Sequence, residues 1–151
     1  MIGLPRKTIF IDRNSGGRAF RDLLTAADIN VVLHDEQFGP TTEDHVWLKK
    51  VGALGYVMVT ADIAVERSFL FLNYLRSSRA QVFILCGLNH ASAEARAKCI
   101  IDAFPEMMSL CHANLGPRLW KQKPGGKILE LNFRHTLGLL KRYGKSGNVR
   151  M

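Results

Sequence analysis

The sequence predicts an α/β fold, a largely parallel sheet between helical layers, followed by a basic hairpin and helix. Three observations carry this. Strand-like and helix-like signals alternate over residues 8–104. Apolar runs such as Val31-Val32-Leu33 and Val82-Phe83-Ile84-Leu85 lack polar alternation, as in strands covered on both faces. The length of 151 residues, with 47% hydrophobic and 23% charged residues, suits one globular domain and is short for two.

The elements follow in order. Thr8-Ile9-Phe10-Ile11 is β-rich and predicts the first strand, and Phe20, Leu23, Leu24 and Ala27 then recur at helical spacing. Val31-Val32-Leu33 is the second strand, and a loop with Gly39-Pro40 follows. Thr41 or Thr42 offers an N-cap for a helix to about Leu54, with Gly55 placed to stop it. Residues 56–60 predict the third strand, 63–75 a helix and 81–86 the fourth strand. Ala93, Ala97, Ile100, Ile101 and Phe104 mark the fourth helix. After Pro105 the pattern changes. Residues 119–122 and 127–131 predict a hairpin around Pro124-Gly125-Gly126, residues 133–143 a basic helix, and residues 144–151 a frayed end.

The charge is distributed unevenly. Residues 1–116 balance 12 basic against 12 acidic residues, whereas 117–151 hold nine basic residues and only Glu130, so they supply the whole net charge of +8. The expected division is therefore a neutral domain over 1–116 and a basic extension over 117–151. Such a segment suits a polyanionic partner, with Lys121, Lys123, Lys127, Arg134, Lys141 and Arg142 as candidate nucleic-acid contacts. A solvated tail is the alternative. Cys86, Cys99 and Cys111 are odd in number and widely spaced, which fits neither a disulfide framework nor a zinc site and predicts reduced thiols in a cytoplasmic protein. No apolar run approaches the roughly 18 residues of a membrane span, and residues 1–13 lack a secretory pattern.

Acids at strand ends are the candidate chemistry. Open α/β sheets bind ligands beyond the carboxyl ends of their strands. Asp12 directly follows the first strand and Asp62 lies two residues past Thr60. In a 2-1-3-4 strand order these two ends are neighbours. Asp62 also suits a helix N-cap, and Asp12 an ordinary turn acid. Asp44 shares a helical stripe with Trp47, Leu48 and Val51, which predicts an inward carboxylate. Its alternative role is the last member of a Thr41-x-x-Asp44 capping box. Gathered carboxylates repel by roughly 4 kcal/mol per pair at about 4 Å and an effective dielectric near 20. Such a group holds protons or cations. All-oxygen ligation suits Mg²⁺ or Mn²⁺, which commonly act on phosphates.

Ile9-Phe10-Ile11-Asp12-Arg13-Asn14, Val32-Leu33-His34-Asp35, Thr42-Glu43-Asp44-His45-Val46-Trp47-Leu48 and Val57-Met58-Val59-Thr60-Ala61-Asp62, taken in order, resemble the compact PIN-like domains, the group that holds the VapC-type toxin ribonucleases. The resemblance spans roughly residues 8–104. It implies a three-layer α/β/α sandwich with a Mg²⁺- or Mn²⁺-dependent phosphodiesterase site. Asp12, Asp44 and Asp62 match the metal-binding catalytic acids, and Asn14 stands where compact members often carry Asn. Where many relatives have a further acid this chain has Ile63 and Ala64. Glu66 is the nearest substitute, and Glu43 and Asp35 are other candidates. Arg13, Asn14 and Thr60 are candidate substrate contacts. The implied function is a metal-dependent endoribonuclease, the toxin of a toxin–antitoxin pair, with RNA as substrate and an antitoxin protein as partner. The alternative is a catalytically silent module that binds nucleic acid or protein.

A phosphoacceptor receiver fits less well, since Phe10 and Ile11 precede Asp12 and Cys86-Gly87-Leu88 follows the fourth strand. His34 and His45 are expected as loop or helix-surface residues. Phe69, Leu70, Phe71, Leu72, Tyr74 and Leu75 wrap their helix further than one face requires. That predicts burial in a homodimer or against a partner, or a helix tucked beneath the C-terminal hairpin.

Overall fold

The computed structural model describes residues 6–12, 17–39, 41–85, 91–123 and 126–143. The elements run β1 (Ile9–Ile11), α1 (Arg18–Ala26), β2 (Val31–Leu33), α2 (His34–Gln37), α3 (Asp44–Leu54) and β3 (Val57–Thr60). A 3-10 helix (Ile63–Arg67), α4 (Phe69–Arg76), β4 (Gln81–Leu85), α5 (Ala93–Ala113), β5 (Arg118–Gln122), β6 (Ile128–Glu130) and α6 (Phe133–Tyr143) complete the chain. The strands form one sheet in the order β2-β1-β3-β4-β5-β6, parallel except for β6.

The sheet is covered on both faces, which explains why its strands lack polar alternation. Side chains alternate across it. Ile9, Ile11, Val57, Val59, Phe83, Leu85 and Trp120 pack with α1 and α5, while Phe10, Met58, Val82, Ile84 and Leu119 pack with α3, α4 and α6. This is the expected α/β sandwich. Gly55 closes α3 in the left-handed conformation at φ 75°, with its amide bonded to the Gly52 carbonyl. Among the described residues no helix is long and apolar enough to cross a membrane.

Four local features depart from the sequence pattern. The helix expected over 63–75 is two pieces, because Ser68 acts as a new N-cap: its Oγ accepts from the Phe71 amide at 3.2 Å. Helix α5 continues through Pro105 to Ala113. Proline removes one intrahelical hydrogen bond, but the following turns bury Met107, Met108 and Cys111 in the core. The loop before Gly39 contains α2, where the Glu36 carboxylate accepts from the Leu33 amide at 3.0 Å. The apolar wrap of α4 is covered from within the chain, by α3 on one side and α6 on the other, leaving Leu70 exposed.

The described residues beyond 117 are built into the same sheet and core rather than appended to them. β5 pairs in parallel with β4 along its whole length, and Trp120 stacks on Phe83 with centroids 4.6 Å apart. The β5–β6 hairpin and α6 form where the sequence predicts them, and Phe133, Leu137 and Leu140 are buried.

Candidate functional site

Strands β1 and β3 are neighbours, with β2 on the far side of β1, so the sheet changes direction of winding at β1. Ligands of open α/β sheets bind at such a switch point. Asp12 leaves β1 here, its amide donating to the Val59 carbonyl at 3.4 Å. Thr60, at the end of β3, is fully buried. Its hydroxyl donates to Asp12 Oδ2 at 2.9 Å and accepts from the Asp62 amide at 3.0 Å. One hydroxyl can do both, having one proton and two lone pairs. It fixes the Asp12 carboxylate against the turn that carries Asp62.

Asp62 caps the 3-10 helix, Oδ1 accepting from the Ala64 amide at 3.0 Å. That bond engages one carboxylate oxygen of an exposed side chain. Asp44 departs from the expected inward position. It is the first residue of α3 and exposed, and its Oδ1 accepts from Trp47 Nε1 at 3.1 Å. The helical stripe puts Trp47 inside, where it stacks on Phe10, but the first residue of the helix stays at the rim. The capping-box alternative is not formed either, because Glu43 is the N-cap residue of α3. Among the described residues no three His, Cys, Asp or Glu side chains gather closely enough to form a metal-binding group. Of the three expected acids, Asp12 and Asp62 share Thr60, and Asp44 is tied to Trp47.

The candidate fourth acids are engaged elsewhere. Glu66 forms an ion pair with Lys121 at 2.8 Å, both side chains about one quarter exposed. Glu43 lies 3.3 Å from the His45 ring. Asp35 lies 3.3 Å from the His34 ring. His34, expected at the surface, is instead buried at 3% exposure among Phe10, Phe38 and Trp47. His45 is exposed as expected.

A cavity of about 280 Å³ opens beside Asp12, lined also by Arg18, His34, Asp35 and Glu36. Arg18 and Glu36 were not singled out from the sequence. The visible signal for Arg18 is a cation opening the helix after Asp12; for Glu36 it is an acid three residues past the end of β2. The Leu33 amide, then the Arg21 guanidinium, hold the Glu36 carboxyl below its usual range against partial desolvation. Arg13 and Asn14 lie outside the described residues.

Of the basic candidates, Lys123, Lys127, Arg134, Lys141 and Arg142 are exposed, whereas Lys121 is turned to Glu66. The carboxylates of Asp12 and Asp62 are hard oxygen donors of the kind Mg²⁺ and Mn²⁺ take. Mg²⁺ is commonly held by one or two carboxylates, the rest of its shell being water and substrate phosphate. The donor set thus fits a carboxylate-poor site and not an all-protein cage.

Residues 8–87 match the family model of the PIN-like domain, which covers more than half of the chain. The match runs from β1 past the end of β4 and includes Asp12, Asp44, Thr60 and Asp62. Neither the curated proteins nor the solved structures contain a match to the chain.

Proposed function

The chain belongs to the PIN-like domain family, and on that premise we propose that it is a metal-dependent endoribonuclease working at Asp12 and Asp62. The observation that carries the reading is the Thr60 hydroxyl, which bonds the Asp12 carboxylate and the Asp62 amide at the switch point of the sheet. PIN-like domains are commonly nucleases, and a part-buried bond that orients a largely buried carboxylate suits a ligand-holding role. Mg²⁺ or Mn²⁺ held there would polarise a phosphate and acidify a water. The exposed basic residues Lys123, Lys127, Arg134, Lys141 and Arg142 supply the charge that an RNA backbone requires. The VapC-type resemblance extends the proposal to the toxin of a toxin–antitoxin pair, with a cognate antitoxin as partner.

The test is cleavage of single-stranded RNA with Mn²⁺ or Mg²⁺. Chelator should stop it. Asp12→Asn should lower the rate by roughly 100-fold or more, since Lewis-acid assistance is worth several kcal/mol. Full activity in excess chelator, or in Asp12→Asn, overturns the reading.

A second reading has its own support. No three-acid group forms among the described residues, and Lys121 neutralises Glu66. On that reading the chain is a silent nucleic-acid-binding module, and the wild type binds RNA without cutting it under any metal.

A further inference from the structure

The topology gives the basic C-terminal segment a direction. Strands β1, β3, β4 and β5 are parallel, so Asp12, Thr60 and Gln122 lie where three of them end, along the carboxyl edge of the sheet. Lys123 and Lys127 flank the turn between β5 and β6, just beyond Gln122, and the Lys123 amide donates to the Lys127 carbonyl at 2.8 Å. The neck of this hairpin therefore sets two exposed lysines on the same edge as Asp12 and Asp62. Neighbouring strands are about 4.8 Å apart, so β5, two strands from β3, is only about 10 Å across the sheet from it.

Helix α6 brings further charge to that edge. β6 runs antiparallel to β5 and returns the chain to the amino edge. There Asn132 shares a pocket with Arg118, the first residue of β5, and its Oδ1 accepts from the His135 amide at 3.1 Å. The 11 residues of α6 then rise about 16 Å, as far as the five residues of β5 reach at about 3.3 Å each. The helix packs on α4 and on the 3-10 helix that Asp62 caps, so its last turn, with Lys141, Arg142 and Tyr143, comes back to the carboxyl edge. The Lys121–Glu66 ion pair ties β5 to the same 3-10 helix. Lys123, Lys127, Lys141 and Arg142 are exposed, and none of them forms an ion pair with a described residue. Tyr143 is 68% exposed, and the Arg142 guanidinium lies 5.7 Å from the centre of its ring.

We propose that single-stranded RNA lies along this edge, on a path that leads to Asp62, with its phosphates on Lys123, Lys127, Lys141 and Arg142 and one base stacked on Tyr143. The inference rests on the nuclease reading for its choice of nucleic acid and adds the track and the stacking ring. Cations that follow a backbone, with an aromatic ring open among them, are the two parts of a single-strand site. A duplex keeps its base faces covered and would use the cations alone. An acidic protein would likewise leave the ring unused. Residues 123–143 lie beyond the matched family region, so the track belongs to this chain's own C-terminal segment.

The test is binding of a labelled single-stranded oligoribonucleotide to the full chain, followed by fluorescence anisotropy over a salt series, with chelator present to keep the strand whole. Replacing Lys123 and Lys127 together by Gln should flatten the slope of log K against log salt by about 1.4, since each phosphate contact releases about 0.7 counterion. Arg79→Gln changes an exposed cation at the entry to β4, on the opposite edge, and should leave the slope as it is. Tyr143→Leu keeps every charge and should weaken binding about fivefold or more at an unchanged slope, whereas Tyr143→Phe should bind as the wild type does. On an abasic strand, Tyr143→Leu and the wild type should bind alike. No RNA binding by the wild type overturns the proposal. So do equal slopes for the wild type and the double-lysine variant, an equal effect of Arg79→Gln, or undiminished binding by Tyr143→Leu. A polyglutamate chain that competes as well as RNA also overturns it, and assigns the surface to an acidic protein. If the binding pattern holds and no metal supports cleavage, the track stands and the nuclease reading falls.

Discussion

Thr60 makes two polar contacts with one hydroxyl, and its removal separates positioning from packing. Thr60→Val keeps the shape but takes the hydroxyl away from a carboxylate oxygen and a backbone amide. Stability should fall by about 1–3 kcal/mol, measured by denaturant unfolding, and RNA cleavage should fall with it. Thr60→Ser restores the hydroxyl and should recover cleavage; if it does not, the methyl group and not the hydrogen bond is what matters. Glu36 gives a pH signature. Its carboxyl lies below the ordinary 4.5 in the folded chain, chiefly through the Leu33 amide and then Arg21. Its stabilisation is present above the unfolded pKa and is lost as pH falls through the lower folded value. Glu36→Gln should therefore destabilise the chain at pH 7, by less than about 1 kcal/mol for so exposed a pair, and the deficit should shrink as pH falls below the ordinary 4.5. A deficit that persists in acid would assign the effect to packing. Asp12 and Thr60 were legible because a strand end fixes both position and direction. Asp44 was not. Helical periodicity gives the direction of a Cβ but not how far the helix end overhangs the sheet, and the indole of Trp47 claimed the carboxylate. His34 was hidden for a related reason, since four rings from β1, α3 and the two ends of α2 enclose one another only after folding.

At the scale of elements, α3 packs through a glycine on the backbone that leads into β4. A Cβ on Gly52 would stand 2.7 Å from the Ala80 amide nitrogen and 2.8 Å from the Arg79 backbone. Backbone cannot move aside as a flexible side chain does. Gly52→Ala gains up to about 1 kcal/mol of helix propensity but forces α3 off the β3–β4 side of the core, an overpacking cost of about 1–3 kcal/mol. Net destabilisation is expected, read as a lower denaturant midpoint; a stabilised variant would show that α3 can shift freely. The strands were legible because two-sided burial writes itself as unbroken apolar runs. The break at Ser68 and the passage of α5 through Pro105 were less so. Each is a local rule weighed against tertiary burial: the Ser68 cap ends one helix and starts another, whereas the core prevailed where Met107, Met108 and Cys111 lay beyond the proline.

For the whole molecule, the excess charge and the last part of the core occupy the same segment. Residues 117–151 carry the entire net charge of +8, yet they also bury Leu119, Trp120, Phe133, Leu137 and Leu140. Each such side chain contributes about 1.5–3 kcal/mol on burial, against a total stability of about 5–15 kcal/mol. Truncation at residue 117 would remove two strands of the sheet and helix α6 and is expected to unfold the chain, so it cannot probe RNA binding. Surface neutralisation can. Arg134, Lys141 and Arg142 are exposed on α6, outside its buried stripe. Replacing all three with Gln should leave the fold intact, apart from the Arg134 guanidinium 4.8 Å from the Phe133 ring, a contact worth about 0.5–1 kcal/mol. If each cation neutralises one phosphate of single-stranded RNA, the slope of log K against log salt should flatten by about 2, because each contact releases about 0.7 counterion. Affinity should converge with the wild type at high salt, where counterion release no longer drives binding. Equal slopes for the two proteins, with matching unfolding curves, would show that α6 does not face RNA and that its charge serves another surface.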